Sequence, residues 1–208
     1  LAASIRDQIK SLEKLDDRAT GDAQWQSEVT VFAHDPSTGV RALQKALGLD
    51  HGLRFIEAFD IAHLQGGETV GAKVSFMDGR PYKEGYRRYK IRTATNDDYM
   101  SMREVISRRY RDAGEGLELY PDLIIIDGGK GQLSAAMEAF AILDKQPLLV
   151  ISLAKKEELI YMVDLDEPIK LGRNNDGLKL VQAMRDEAHR FAQHYHHLLR
   201  KKKMLGDS

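Results

Sequence analysis

One short segment, residues 123–131, restricts the fold of this chain more than any other. It reads Leu-Ile-Ile-Ile-Asp-Gly-Gly-Lys-Gly. Such a short, fully apolar run is typical of a strand that is buried on both faces, and burial on both faces requires helices on each side of a sheet. The glycines that follow allow a ligand or a neighbouring backbone to approach closely. The segment therefore predicts a central strand of an α/β domain with a candidate site at its carboxyl end.

The rest of the chain supplies the partners of this strand. The pattern predicts strands at 54–64, 69–77, 86–93, 123–127 and 147–153, a minor hairpin at 159–163 and 169–171, and helices at 97–111, 132–143 and 176–204. The first three strands follow one another with short turns, which indicates an antiparallel meander. Together these elements predict an α/β fold, a mixed sheet with helices on both faces, over residues 52–204.

The N-terminal quarter has a different character. Residues 1–15 contain a short amphipathic helix with Ile5, Ile9 and Leu12 at helical spacing. It either packs on its own domain or binds a partner helix. Residues 16–51 are predicted to be a polar linker, with a short strand at 28–33 and a short helix at 40–49. Because the sequence opens with Leu1 rather than Met, we expect it to be part of a longer protein.

Composition excludes several classes of protein. The absence of cysteine rules out a disulfide framework, a thiol nucleophile and a zinc–thiolate site. The longest apolar runs are too short to span a membrane, and charges at Arg6, Asp7 and Lys10 interrupt any signal-peptide pattern. The sequence therefore predicts a cytoplasmic globular protein without a membrane partner.

Three residues are candidates for one metal site. Asp60 lies within the first predicted strand, where a buried carboxylate needs a compensating partner. Asp127 ends the apolar strand, and His189 borders the apolar stripe of the last helix. Each has a structural alternative, a hydrogen-bonded aspartate or a packed histidine. Two aspartates on neighbouring strands and one histidine can nevertheless converge on a hard cation such as Mg²⁺ or Mn²⁺.

Nucleotide binding is a weaker alternative. The phosphate-loop pattern G-x-x-x-x-G-K-[ST] is absent from the sequence. The dinucleotide fingerprint G-x-G-x-x-G also fails, because Ser134 stands where the third glycine belongs. The strand that ends at Asp127 resembles the magnesium-binding strand of phosphate-loop NTPases, but it lacks the loop that would hold the phosphates.

The net charge of −1 conceals two basic segments. Residues 83–112 contain nine basic and five acidic groups, and residues 185–203 contain six basic and two acidic groups. Basic side chains contact the phosphates that supply most nucleic-acid affinity. Each basic segment alone could be a solvated helix or strand face. Beside a metal site, the two segments favour DNA or RNA as the binding partner. Arg88, Lys90 and Lys130 are the predicted phosphate contacts.

Several motifs resemble the UvrC family, the nuclease subunit of bacterial nucleotide excision repair. The matching blocks cover roughly residues 40–203 and are 56–66, 86–92, 123–133, 153–158 and 185–192. The most specific are Asp-Gly-Gly-Lys-Gly-Gln at 127–132 and Arg-Asp-Glu-Ala-His at 185–189. Residues 2–15 resemble the second half of the UVR motif, through which UvrC contacts UvrB.

The resemblance implies an RNase H-like endonuclease domain that uses Mg²⁺ or Mn²⁺ and makes the incision on the 5′ side of a DNA lesion. The Asp-Asp-His site of the family falls on Asp60, Asp127 and His189. A further functional aspartate of the family falls on Asp97 or Asp98, and we assign it to Asp98. The alternative from another class is a non-catalytic DNA- or UvrB-binding module whose acidic residues are structural.

Overall fold

The computed structural model describes residues 35–63, 69–93, 97–111 and 120–204, with side chains as far as 194. The predicted helix of residues 1–15 and the predicted strand at 28–33 lie outside these ranges. The helices are α1 (Pro36–Ala46), α2 (Asp98–Tyr110), α3 (Lys130–Phe140) and α4 (Asp176–Met204), with a 3₁₀ turn at Lys83–Gly85. The strands are β1 (Phe55–His63), β2 (Thr69–Met77), β3 (Arg80–Pro81), β4 (Arg87–Lys90), β5 (Leu123–Asp127), β6 (Val150–Ala154), β7 (Leu159–Met162) and β8 (Ile169–Lys170).

The strands form one mixed sheet. Its order is β3-β2-β1-β5-β6-β7-β8, and β4 pairs with β2 beside β3. Strands β1, β2 and β4 are antiparallel neighbours, so the predicted meander is confirmed. Strand β5 runs parallel to both β1 and β6. Its side chains from Leu123 to Ile126 are completely buried, as expected for a strand covered on both faces.

Side-chain alternation along β1 assigns the two faces of the sheet. Phe59 contributes to the hydrophobic cluster that includes Ile126 of β5 together with residues of α2 and α3. Asp60, the next residue, has the opposite orientation and meets His189 of α4. The sheet therefore carries α2 and α3 on one face and α4 on the other, which confirms the predicted layers.

Helix α1 lies against α4 on that second face. Leu43 of α1 is fully buried, and a Cβ added at Gly39 would lie 3.2 Å from the Cβ of Leu180. The sequence pattern predicted a helix at 40–49, but α1 begins at Pro36. Asp35 explains the early start, because its side chain accepts a hydrogen bond from the backbone N–H of Ser37 and Pro36 occupies the first turn.

The bounds of β4 and α3 also differ from the predicted ones, and β6 begins at Val150 rather than at residue 147. Strand β4 ends at Lys90 rather than at residue 93, because the backbone N–H groups of Arg92 and Thr93 donate to the side chain of Glu104 instead of to a strand. Helix α3 begins at Lys130 and ends at Phe140, two to three residues before the predicted bounds. Gly129, one of the glycines that precede the predicted helix, is its N-cap.

Glu104 should make stability dependent on acid pH. Burial opposes its ionisation, but hydrogen bonds from the Thr93 hydroxyl, the backbone N–H groups of Arg92 and Thr93 and the Arg108 guanidinium lower its pKa from 4.5 to about 2. A lowered folded-state pKa stabilises the fold above about pH 4.5 and ceases to do so as the pH falls toward 2.

We expect Glu104→Gln to lose about 1.5–3 kcal/mol of unfolding free energy at pH 7, the contribution of hydrogen bonds to a charged group, and clearly less at pH 3. Urea denaturation of both proteins at the two pH values measures this change. An equal loss at both pH values would contradict the assignment.

Across the described ranges, no helix has the length and apolar character required to cross a membrane.

Candidate metal centre

Asp60 is held inside the sheet by the strands on either side of it. It faces Ala72 of β2 across the antiparallel pair. On the other side Phe59 pairs with Ile126, so the next position of β1 lies beside Asp127 of β5. Asp60 is 4% exposed. A carboxylate this deep in a sheet needs a charged or hydrogen-bonding partner to remain ionised.

Asp127 is the last residue of β5, and the backbone turns sharply after it. Gly128 has φ of +139°, a conformation that favours glycine, and a Cβ there would lie 2.7 Å from the side chain of Gln132. Its N–H donates to the carbonyl of Leu153 on β6, with an N···O distance of 3.1 Å. The turn thus directs the chain into α3 and leaves the Asp127 carboxylate at the carboxyl edge of the sheet.

His189 of α4 is the third member of the group. Helix α4 buries Val181, Met184 and Ala188 against the strands, and this packing places the half-buried His189 over β1. Its Nδ1 lies 3.1 Å from a carboxylate oxygen of Asp60. One ligand atom from each of Asp60, Asp127 and His189 lies within 4.8 Å of the other two. The three predicted ligands are therefore brought together.

The pKa values of Asp127 and His189 indicate an excess of negative charge at this group of side chains. Burial, followed by the charge of Asp60 and a hydrogen bond with it, raises the pKa of Asp127 to about 6, although Arg185 and Lys155 act against this rise. The hydrogen bond to Asp60 raises the pKa of His189, while burial opposes it. Two carboxylates crowded at this depth repel each other, and a divalent cation between them would relieve that repulsion. The donor set of two carboxylates and one imidazole fits Mg²⁺ or Mn²⁺.

Gln193, one helical turn further along α4, contacts the other ring nitrogen of the histidine. Its side-chain amide lies 2.8 Å from Nε2 of His189, while Nδ1 faces Asp60. Binding of a cation by Nδ1 requires the tautomer that carries its proton on Nε2, and the amide oxygen of Gln193 can accept that proton. Such outer-shell contacts determine the orientation and tautomer of a ligating histidine. Gln193 was not among the predicted site residues, and its i+4 spacing from His189 is the one sequence signal that could have identified it.

The two adjacent aspartates at the start of α2 have different surroundings. The carboxylate of Asp97 caps the helix, accepting hydrogen bonds from the N–H groups of Tyr99 and Met100 at 2.9 and 3.0 Å. The carboxylate of Asp98 instead pairs with Nε2 of His63 at the end of β1. Asp98 lines a cavity of about 400 Å³ with His63, Tyr99 and Gln132. Asp98 does not belong to the three-ligand group, and its catalytic role stays a prediction.

The predicted phosphate contacts lie in unlike environments. The guanidinium of Arg88 stacks on the ring of Phe191 in α4, 3.9 Å from its centroid. Lys90 at the end of β4 is exposed, and its backbone carbonyl accepts a hydrogen bond from Arg108. Lys130 is exposed in the first turn of α3, three residues after Asp127. Their contacts with nucleic acid stay predictions.

Comparison with known proteins identifies the chain. Residues 44–193 match the family model of the UvrC RNase H endonuclease domain. UvrABC system protein C of Methanococcus maripaludis is 46% identical over 177 residues, which are 84% of this chain and 33% of that protein. The same protein of Acidobacterium capsulatum is 48% identical over 168 residues, 80% of this chain and 26% of its own length. The chain thus spans about a third or less of the curated relatives that it matches.

Solved structures with a similar arrangement include endonuclease V of Bacillus subtilis, at a TM-score of 0.45 and 13% identity, covering 72% of this chain and 84% of that one. Endonuclease V of Ciona intestinalis bound to DNA aligns at a TM-score of 0.45 and 11% identity. The alignment covers 79% of this chain and 95% of that one. The family assignment rests on the sequence match, whose description also states the RNase H fold that the resemblance implied. The chain belongs to the family of UvrC RNase H endonuclease domains.

Proposed function

We propose that this chain is a divalent-metal-dependent DNA endonuclease domain, and that in the full-length protein it makes the 5′-side incision of nucleotide excision repair. The convergence of Asp60, Asp127 and His189 within 4.8 Å supports this most strongly. The family match supports nuclease activity. DNA as substrate and a cytoplasmic location are part of the same proposal, as is contact with UvrB through the segment at 2–15.

Asp60 and Asp127 would hold Mg²⁺ or Mn²⁺, and His189 would complete the ligand set or carry a proton. When bound, the cation would polarise the phosphodiester and lower the pKa of a coordinated water. The overall reaction consumes one water: its oxygen bonds to phosphorus, one ester P–O bond breaks, and the products are a hydroxyl end and a phosphate monoester end. Half-buried His189, which also borders solvent, is suitably placed to accept or return the proton of that water.

The rest of the domain would guide the DNA backbone to this edge of the sheet. Lys90 is an exposed cation level with Ala62 near the carboxyl end of β1, and Lys130 is an exposed cation just after β5. Arg88 lies on the same sheet face as Asp60. Contacts of this kind fix position and affinity without reading sequence. Selection of the lesion is therefore expected to depend on other parts of the full-length assembly.

Metal removal tests the proposed function. We expect this chain to nick supercoiled plasmid with Mn²⁺ or Mg²⁺, to stop when EDTA is in excess, and to recover when metal is restored. Isothermal titration with MnCl₂ should show metal binding, and Asp60→Asn should weaken the affinity at least about tenfold. Loss of a residue that only hydrogen-bonds to a metal ligand already lowers metal affinity by about that factor. Salt-sensitive DNA binding that neither EDTA nor Asp60→Asn changes, without nicking, would instead support the non-catalytic module.

A further inference from the structure

The turn that follows β6 carries a pair of lysines, Lys155 and Lys156, that no part of the proposed site yet uses. Strand β6 is parallel to β5, and Leu153 pairs with Asp127 at the carboxyl ends of the two strands. Neighbouring strands lie about 4.8 Å apart. Lys155 follows Leu153 by two residues, so it emerges at the same edge of the sheet as the metal ligands.

Two hydrogen bonds attach the end of β6 to the loop that follows Asp127. The N–H of Gly128 donates to the carbonyl of Leu153 at 3.1 Å, and the hydroxyl of Ser152 donates to the carbonyl of Gly129 at 3.2 Å. The position of the turn relative to Asp127 is therefore determined by backbone contacts as well as by strand pairing.

A buried arginine attaches the other end of this turn to α4. The turn closes with a hydrogen bond from the N–H of Glu158 to the carbonyl of Ala154. The carboxylate of Glu158 then accepts from Arg185, at 3.0 Å, and the Arg185 side chain is only 7% exposed. Arg185 lies one helical turn before His189, so the two point to the same side of α4. The turn is thus held at one end by the loop that follows Asp127 and at the other end by Arg185, one helical turn before His189.

The charge of Lys155 acts on both of these ligands. Its ammonium is among the groups that lower the pKa of Asp127 and of His189. Lys155 is exposed, and no carboxylate in the part of the chain with described side chains forms a salt bridge with it. An exposed cation at the same edge of the sheet as two carboxylates, in a turn that hydrogen bonds hold at both ends, is suited to a polyanionic substrate that enters the site.

We infer that Lys155 is a further catalytic residue of this domain, whose ammonium contacts a non-bridging oxygen of the scissile phosphodiester. The inference rests on the proposed nuclease function. Attack by water converts the singly charged phosphodiester into a transition state with more negative charge on these oxygens, and a positioned cation stabilises that state more than the substrate. Arg185 and Glu158 are then positioning residues, since they act through the turn and do not themselves touch the substrate.

The chain offers a matched control, because Lys156 has the same charge, is also exposed and is the next residue. We expect Lys155→Ala to lower kcat for nicking about 100-fold, the range found when one donor to a transition-state oxyanion is removed. KM for the DNA and Mn²⁺ affinity should change less than threefold. Lys156→Ala should retain wild-type kcat, and Lys155→Arg should recover part of the loss. Equal kcat for Lys155→Ala and Lys156→Ala would overturn the inference.

A neutral backbone distinguishes contact with the phosphate from a structural role. On oligonucleotides that carry either diastereomer of a methylphosphonate at the mapped cleavage position, the difference between wild type and Lys155→Ala should disappear for the diastereomer that lacks the contacted oxygen and persist for the other. An undiminished 100-fold difference on both diastereomers would show that Lys155 acts by other means.

The two proposals fail in different ways. A wild-type chain that does not nick in any metal overturns the proposed function. In that case oligonucleotide binding in Ca²⁺ tests the phosphate contact. The slope of log binding constant against log salt concentration should be smaller by about 1 for Lys155→Ala than for Lys156→Ala. No difference between the two variants there would overturn the contact as well.

Discussion

Replacing Asp127 by asparagine is expected to lower Mn²⁺-dependent plasmid nicking at least about 100-fold. Loss of a residue that only hydrogen-bonds to a metal ligand costs up to about 100-fold in activity, and loss of a ligand should cost at least as much. The substitution preserves shape and removes one of two carboxylates that lie within 4.8 Å of the third ligand. An amide is a weaker ligand for a hard cation than a carboxylate. Initial rates over a range of MnCl₂ concentrations measure the loss and show how far excess metal restores the rate.

The same variant should not be less stable without metal. Asp60 and Asp127 crowd two carboxylates together, with burial and the charge of Asp60 raising the pKa of Asp127 to about 6. Removing one of the two relieves repulsion, so the unfolding free energy of Asp127→Asn in EDTA should equal or exceed that of wild type. Asp144→Asn, at an exposed position after α3, is the matched control and should alter neither property. Equal nicking by Asp127→Asn and wild type would exclude Asp127 as a metal ligand.

The second large effect concerns a charge cluster on the opposite face of the sheet. Glu57 of β1 is completely buried. Its carboxylate accepts hydrogen bonds from the Lys73 ammonium at 2.5 Å, the Arg109 guanidinium at 3.0 Å and the Tyr110 hydroxyl at 2.6 Å. The cluster joins β1 and β2 to α2, at the end of that helix remote from Asp97.

The members of this cluster depend on one another for their charges. Burial lowers the pKa of Lys73, and the charge of Glu57 opposes that decrease. Burial, together with the charge of Glu57, raises the pKa of Tyr110 well above its usual value. The side chains of Lys73 and Arg109 are 5% and 8% exposed, so replacing Glu57 would remove the anion that both buried cations contact.

We expect Glu57→Gln to lower the unfolding free energy by about 3–5 kcal/mol, the usual cost of breaking a buried ion pair by removing one partner. Urea denaturation followed by circular dichroism measures it. Glu138→Gln is the matched control, because its ion pair with Arg103 is exposed on both sides and such pairs contribute about 0–1 kcal/mol. A loss below 1 kcal/mol for Glu57→Gln would show that the cluster is not a stabilising contact.

Glu57→Gln could prevent folding altogether, and a milder variant covers that outcome. Tyr110→Phe removes one hydrogen bond to the same carboxylate and retains the ring between Phe59 and Phe140. Its expected loss is about 1.5–3 kcal/mol, as for a hydrogen bond to a charged group. A Tyr110→Phe protein as stable as wild type would contradict the assigned role of the carboxylate.

Much of the architecture is predictable from local patterns. The apolar run that ends at Asp127, the glycines after it and the periodicity of the last helix depend on neighbours in sequence, and each predicted element that lies within the described residues is present. Among the boundaries that were wrong are those of α1 and β4, where side-chain contacts decide where the element begins or ends. Glu104 ends β4 from another element, 12 residues after Arg92, and no pattern within the strand could reveal it.

The candidate site was predictable in part. The residues alone suggested that two aspartates and a histidine could converge, and the UvrC resemblance named the same three. The choice between Asp97 and Asp98 was open, because both precede the same helix. The structure shows that Asp97 caps α2 and that Asp98 pairs with His63. Arg88, which the sequence placed on an exposed strand face, packs on Phe191 because α4 covers that face.

The sequence by itself determined the layered α/β class of this protein, and it predicted a site at the end of β5 with oxygen and imidazole as candidate ligands. Those properties follow from periodicity, glycine and the absence of cysteine. Only the tertiary structure decided that His189 meets Asp60 across 129 residues and that the turn with Lys155 lies at the same edge of the sheet as Asp127. The physical reason is that distance between side chains is set by strand register and helix packing, which join residues far apart in the chain.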